Sequence, residues 1–454
     1  MTRAAKRIAE LNTIKVWGKV TRIVGLVVEG YCPHAAIGAL CEILPRNGGA
    51  TIYAEIVGFK DHQALLMPLG DIRGLGPGSR IRIIRQSATI KVGDNLLGRI
   101  IDGMEQPHDG LPAPILTQEK ALYGSPPGPM ERQNISEVLD VGVRSINGMT
   151  TCGMGQRLGI MAGSGVGKSV LLGMMSKYAK ADVNVIALIG ERGREVREFI
   201  ERDLGQEGLA RSVLVVVTSD QSPLLRMRGA FVATTIAEYF CQQGKNVLLM
   251  MDSVTRFAMA MREIGLAIGE PPTTKGYTPS VFATLPRLLE RAGRFRNQGS
   301  ITGIYTVLVD GDDMTEPVAD SVRSILDGHI VLSRSIAARN HFPAIDILNS
   351  ASRVMREIIS PRHLELSGKA RNVLATYADA EDLINIGAYA KGSNPKIDYA
   401  ISKIDAINEF LQQRFDETTP FKDSLEQLGS ILSERKDERR PQQNRRKGDH
   451  SSEE

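Results

Sequence analysis

Residues 162–170 read AGSGVGKSV, directly after the apolar run RLGIMA (157–162) and just ahead of the helical stretch VLLGMMSKYA (170–179). The spacing follows G-x-x-x-x-G-K-[ST], with Ala162 where the pattern has its first glycine, a change such loops tolerate. Gly163, Gly165 and Gly167 allow backbone N–H groups to wrap around phosphate oxygens in conformations that other residues resist. The helix N-terminus that follows adds the positive end of its dipole. Lys168 supplies a cation for the β- and γ-phosphates, and Ser169 offers a hydroxyl to a metal ion. The whole loop from Gly163 through Ser164, Gly165, Val166, Gly167, Lys168 and Ser169 to Val170 is therefore a candidate nucleotide phosphate site.

Two further segments extend this reading. NVLLMMDSVTRF (246–257) is an apolar run that ends in Asp252. A carboxylate at the carboxyl edge of a buried strand can hold Mg²⁺ through water, opposite the loop lysine; a helix-capping aspartate is the alternative. ALIGERGREVREF (187–199) ends another run at Gly190, and Glu191 follows. Residues just past the carboxyl ends of strands in open α/β sheets face the ligand crevice. Glu191 can there polarise an attacking water, with Arg192 and Glu195 close by, or it can be the solvated start of a helix.

Further runs recur at VNVIALI (183–189), SVLVVVT (212–218), SITGIYTVLV (300–309) and HIVLS (329–333). They lack polar alternation, as strands buried on both faces of a parallel sheet do. Amphipathic segments such as VREFIERDL and ATTIAEYFCQQ separate them, which predicts an α/β core with helices on both faces. Ahead of this core, TRIVGLVVEG, CEILPRNGGATIYAEIVGF, HQALLMPLG and SRIRIIRQ are Val/Ile/Leu-rich and broken by Gly and Pro, as in a small closed β-barrel. After about residue 356 helical patterns take over, as in INEFLQQRF and SLEQLGSIL. The expected organisation is a docking segment over 1–18, a β-barrel over 19–93, a RecA-like P-loop domain with a mainly parallel sheet over 94–356, a helical domain over 357–433 and a disordered tail over 434–454. The tail has no aliphatic or aromatic residue to bury. Ala4, Ile8 and Leu11, with Arg3, Lys6 and Arg7 between them, form a short amphipathic stripe that reads as a docking helix or as a frayed terminus.

Composition narrows the function classes. Of 454 residues, 42% are hydrophobic and 24% charged, which excludes a disordered or collagen-like chain. Cys32, Cys41, Cys152 and Cys241 have no CxxC spacing and read as buried thiols in a reducing compartment. No stretch approaches the ~18 apolar residues that cross a bilayer, and residues 1–20 lack a secretory signal, so the cytoplasm is the expected location. Residues 1–91 hold 13 Lys/Arg against 6 Asp/Glu, although the chain as a whole carries only +4. A basic front end can face nucleic acid, anionic lipid or an acidic partner. Its aromatics, Trp17, Tyr31, Tyr53 and Phe59, form no interleaved cluster for stacking bases, which argues against specific nucleic-acid binding.

AGSGVGKS, GERGREV, LLMMDSVTRFA, GEPPTTKGYTPSVFATLPRLLERAG (269–293), GSITGIYTVLVDGDDMTEPVADSVRSILDGHIVLSR (299–334) and FPAIDILNSASR (342–353) follow one another in order. Together they resemble the rotary ATPase catalytic-subunit family, more closely the ATPases of type III protein export, and most of all the flagellum-specific ones. VGDNLLGRIIDGMEQPHDGLP (92–112) matches that family's entry to its core. The resemblance spans about 20–433. It implies a Mg²⁺-dependent ATPase in which Glu191 is the water-activating base. Arg192 and Glu195 tie the nucleotide site to the metal shell, Asp252 is linked to Mg²⁺, and Arg256 contacts the γ-phosphate. Phe342 stacks on adenine where the family often has Tyr, and Arg353 is an arginine finger donated to the neighbouring subunit. One chain carrying Lys168, Glu191, Asp252 and Arg353 can build both halves of an interfacial site, hence a homohexameric ring. The resemblance further implies a coiled-coil stalk protein, a stator-like regulator on the N-terminal segment, an export gate and chaperone–substrate complexes as partners, at the cytoplasmic face of the inner membrane. The acidic motif that couples rotary β-subunits to their stalk has no clear counterpart. The ATPase of a virulence-type secretion needle, a ring-shaped RNA translocase and a non-catalytic scaffold are the competing readings; Glu191 speaks against the last.

Overall fold

The computed structural model describes residues 16–46, 48–309, 311 and 313–433. The Ala4/Ile8/Leu11 stripe and the 434–454 tail lie outside the described residues. The chain folds into a six-stranded barrel, a large sheet flanked by helices, and a helical C-terminal part. The barrel strands are β1 (Gly18–Val24), β2 (Val27–Tyr31), β3 (Leu40–Leu44), β4 (Ile52–Lys60), β5 (Gln63–Pro68) and β6 (Arg80–Arg85). They close in the order β1-β2-β5-β4-β3-β6, all antiparallel. Val20, Val28, Cys41, Ile43, Ala54, Ile56, Leu66 and Ile81 point inward and fill it. The barrel is tight at Gly30, where a Cβ would lie 2.5 Å from Cδ1 of Ile81 and 2.8 Å from the Lys19 carbonyl oxygen, so any larger residue must displace its neighbours. A two-stranded ribbon of β7 (Thr89–Val92) and β9 (Gln118–Ala121) follows, with β8 (Ile100–Ile101) between them in sequence.

The remaining strands are β10 (Arg157–Ala162), β11 (Val183–Ile189), β12 (Ser212–Val217), β13 (Asn246–Asp252), β14 (Gly293–Arg294), β15 (Ser300–Leu308), β16 (Gly328–Leu332) and β17 (Ile345–Ser352). Their order is β17-β16-β10-β15-β13-β11-β12-β8, with β14 beside β15. Every pairing from β16 to β8 is parallel; β17 and β14 are antiparallel. β11 and β12 have every residue buried, and apolar side chains of the two faces enter separate cores, as expected of strands covered on both sides. Val183, Val185 and Val213 join the core that holds the helix Pro223–Gln242, whereas Ile186, Leu188 and Leu214 face the helix Lys168–Tyr178.

Barrel and sheet are joined by a buried ion pair. The Arg228 guanidinium reaches Glu55 Oε2 of β4 at 3.2 Å and donates through Nε to the Gly103 carbonyl at 3.0 Å, while Tyr123 Oη donates to the other Glu55 oxygen at 2.7 Å. The C-terminal helices α1 (Pro361–Asn385), α2 (Pro395–Leu411) and α3 (Phe421–Leu432) each begin with proline or directly after it. Ser360 and Asn394 cap the first two, accepting from the backbone N–H groups of His363 and Lys396. Arg144 and Asp140 tie this part to the sheet. Arg144 bonds Glu417 at 2.6 Å and the Phe410 carbonyl at 3.1 Å, and Asp140 accepts from the Phe421 N–H at 3.0 Å.

Candidate functional site at the carboxyl ends of the central strands

The loop after β10 turns back on itself through Gly165 and Gly167, whose φ values of 79° and 88° lie in the left-handed region. Val166 is buried in the apolar core and Val170 packs against it, which anchors the loop; Ser164 and Ser169 face solvent. The Arg334 guanidinium lies over Gly163, where a Cβ would come within 2.8 Å of its Nε. The Phe342 ring lies against Gly167, 3.5 Å from where a Cβ would stand. Although 41% exposed, Phe342 is thus held at the mouth of the loop.

Strand order carries the acidic groups to this loop. β13 runs between β11 and β15, so Asp252 ends its strand beside Leu188, three residues before Glu191. Lys168 Nζ lies 2.5 Å from Asp252 Oδ1 and 3.5 Å from Glu191 Oε1. Thr306 Oγ1 of β15 donates to the same Asp252 oxygen at 2.7 Å. Burial works against the Lys168 charge, but the two carboxylates outweigh it and hold the ammonium above its ordinary pKa. Glu191 moves the other way from an ordinary carboxylate: burial and then the Asp252 charge raise it to about 7, despite Lys168.

Arg256 sits in the first turn of the helix Val254–Ile268, which Ser253 caps. Its aliphatic stem packs on Gly190, 2.8 Å from where a Cβ would stand, and its buried Nε has no partner. Arg192 and Glu195 pair with one another at 3.5 Å on the outer side, Arg192 being 79% exposed. The structure therefore brings together Lys168, Glu191, Asp252, Arg256 and Phe342. It sets Arg192 outward, and Arg353 apart. Arg353 follows β17, whose antiparallel course carries it to the opposite end of the sheet. Its N–H donates to the Asp327 carbonyl at 2.9 Å, and Asp327 N–H donates to the Arg157 carbonyl at the start of β10. Five residues of β10 separate that end from the phosphate loop, about 17 Å at ~3.3 Å per residue. The Arg353 guanidinium reaches the Arg323 carbonyl at 3.4 Å. Thr306 and Arg334 escaped the sequence reading. Thr306 was detectable as a polar residue inside the buried run SITGIYTVLV, whereas nothing local marks Arg334.

The donors near Lys168 are all oxygens, the Ser169 hydroxyl and the Asp252 and Glu191 carboxylates, which suits a hard cation such as Mg²⁺. Among the described residues there is no cluster of three or more His, Cys, Asp or Glu able to hold a metal. No helix among the described residues is long and apolar enough to cross a membrane.

Three family models match successive parts of the chain: the ATP synthase alpha/beta family beta-barrel domain over residues 20–84, the nucleotide-binding domain of that family over 142–352, and the T3SS EscN ATPase C-terminal domain over 359–430. The chain has the fold of the ATP synthase alpha/beta family and is an ATP-hydrolysing enzyme. The flagellum-specific ATP synthase of Bacillus subtilis is 54% identical over 421 residues, 92% of this chain and 96% of that protein. The assembled ATPase EscN of the enteropathogenic E. coli type III secretion system superposes with a TM-score of 0.87 at 48% identity, covering 92% of this chain and all of that one. EscN in complex with its central stalk EscO gives 0.85 at the same identity and coverage. The chain belongs to the family of flagellum-specific and type III secretion ATPases.

Proposed function

We propose that this chain hydrolyses Mg·ATP at sites shared between neighbouring subunits of a homohexameric ring and so energises export of flagellar protein subunits. The observation that carries the reading is the convergence of Lys168, Asp252 and Glu191 within 3.5 Å at the mouth of the phosphate loop. The backbone N–H groups of 163–170 and the Lys168 ammonium bind the phosphates, and the adenine rests on the Phe342 ring beside Gly167. Ser169 and Asp252, with Glu195 further out, would hold Mg²⁺, which supplies charge neutralisation on the phosphate oxygens when bound. Glu191 orients the attacking water and takes its proton; a pKa near 7 matches that task at neutral pH. Arg256, whose stem packs on Gly190 and whose buried Nε has no partner, would contact the γ-phosphate. Arg192 and Glu195 steady the Glu191 segment from outside.

Arg353 lies too far from its own loop to serve it, which supports a finger acting on the next subunit's nucleotide. Association with a coiled-coil stalk follows the EscN–EscO complex. A regulator on the N-terminal segment, an export gate and chaperone–substrate complexes at the inner membrane complete the proposed setting. The test is Mg·ATP turnover by purified protein together with a gene deletion. Loss of swimming filaments with secretion of virulence effectors intact is expected, and the reverse phenotype would assign the protein to an injectisome.

A further inference from the structure

β15 lies between the strand that leads into the phosphate loop and the strand that ends in Asp252, and it is tied to both. Thr306 pairs with Ile160 of β10 on one side, and Tyr305 pairs with Met251 of β13 on the other. Just beyond, the Val309 N–H donates to the Ala162 carbonyl at 3.0 Å and the Leu308 N–H to Thr255 Oγ1 at 2.8 Å. Thr306 is fully buried in this frame. Its branched Cβ restricts χ1, and its hydroxyl has one proton to give. Asp252 Oδ1 accepts that bond at 2.7 Å, while the Met251 carbonyl stands further off at 3.4 Å. Lys168 Nζ reaches the same Oδ1 at 2.5 Å. Among the described residues no donor bonds Oδ2 of Asp252. Two donors on one oxygen fix the rotation of the carboxylate about χ2, a torsion that is otherwise broad.

We propose that Thr306 is a positioning residue for Asp252: its hydroxyl locks the carboxylate so that Oδ1 stays with Lys168 and Oδ2 stays available to the water shell of Mg·ATP. The inference rests on the role given to Asp252 above. The alternative is a hydroxyl that only satisfies itself inside a buried strand. An ammonium is a point charge on a flexible stem, and alone it lets the carboxylate turn. The threonine, rooted in a strand that both neighbours pin, does not. Lys168 is also drawn toward Glu191, 3.5 Å away, and toward phosphate oxygens when nucleotide is bound. Thr306 is then the contact that keeps Asp252 in place.

The test compares full-length Thr306→Val and Thr306→Ala, which remove the hydroxyl with and without its shape, to Thr306→Ser, which keeps it. A fluorescent non-hydrolysable ATP analogue is titrated into each in EDTA and again in Mg²⁺. In EDTA the hydroxyl-free variants should bind the analogue as the parent does, which also reports an intact fold. The tightening brought by Mg²⁺ should shrink about tenfold in both, and kcat should fall by a similar factor, because a hydrogen bond to a charged group is worth roughly that much. Thr306→Ser should restore both quantities. Thr302→Val is the control on the same strand: Thr302 Oγ1 accepts from the Gly155 N–H at 2.8 Å, and its loss should lower stability while leaving the Mg²⁺ tightening unchanged. Asp252→Asn separates the two layers of the argument. If it keeps the full Mg²⁺ tightening, the role of Asp252 falls. If it loses that tightening while Thr306→Val and Thr306→Ala keep it, the proposal for Thr306 is overturned and the site stands. An equal loss in Thr302→Val, or a loss that Thr306→Ser fails to restore, would overturn the proposal as well.

Discussion

Lys168 and Asp252, 84 residues apart in sequence, meet at 2.5 Å between Nζ and Oδ1. Glu191 shares the same ammonium from 3.5 Å. One cation thus faces two carboxylates in a partly desolvated cleft, and the second carboxylate bears the cost as a raised pKa. Lys168→Ala removes the cation that both carboxylates share. Hydrolysis should fall by at least about 10²-fold, with weaker binding of ATP, because a preorganised charge on the phosphates is lost. ATPase assays and equilibrium titration with a non-hydrolysable analogue check both halves of the expectation.

Glu191 acts as a base only when ionised. With its pKa raised to about 7, kcat/KM should rise with pH through an inflection near 7 rather than near the usual carboxylate value. Glu191→Gln keeps the shape but accepts no proton, so it should bind ATP and leave it unhydrolysed at every pH. A wild-type rate in Glu191→Gln would remove the residue from the role of base.

The same shift bears on stability. Folded Glu191 holds its proton up to about pH 7, whereas the unfolded carboxyl releases it near 4.5. Its contribution is full below pH 4.5 and is lost as pH rises through 7, by order of 3 kcal/mol at ~1.4 kcal/mol per unit. Glu191→Gln should therefore be more stable than the parent at pH 8, with the advantage vanishing toward pH 4.5, as read by urea denaturation at several pH values.

Arg353 and Lys168 lie at opposite ends of β10, which makes their defects complementary. Arg353→Ala and Lys168→Ala chains, each inactive alone, should regain partial ATPase activity when co-assembled. Some interfaces then pair an intact loop with an intact finger. Lys168→Ala mixed with Glu191→Gln should not recover, since both lesions fall on one side of the interface. Failure of the first mixture despite demonstrated co-assembly would return Arg353 to a structural role.

The Arg228–Glu55 pair predicts a barrel-specific defect. Both side chains are almost fully buried, so Arg228→Ala leaves an unpaired carboxylate and should cost about 3–5 kcal/mol. The double change Arg228→Met with Glu55→Gln should recover most of that loss. Trp17, the single tryptophan, stands on the barrel with the guanidinium groups of Arg80 and Arg82 about it at 6.0 and 5.8 Å, and its fluorescence reports the barrel's unfolding directly.

Local sequence determined much of this protein. The run RLGIMA and the loop AGSGVGKSV are recognisable because a buried strand and a phosphate-binding turn each need particular residue types at short spacing. The same holds for the strands that end at Ile189, Val217 and Asp252, and for the helical patterns after about residue 356. What only the tertiary structure decided is which of these ends meet. Nothing in the periodicity of 246–252 states that β13 lies between β11 and β15, yet that order alone sets Asp252 on Lys168 and under Thr306. Nothing in FPAIDILNSASR states that its strand runs antiparallel, yet that direction leaves Phe342 at Gly167 and carries Arg353 to the far end of the sheet. Arg334 over Gly163 and Arg228 under Glu55 were illegible for the same reason. Hydrophobic patterning fixes which face of an element is buried, whereas its neighbours are chosen by packing between segments far apart in sequence.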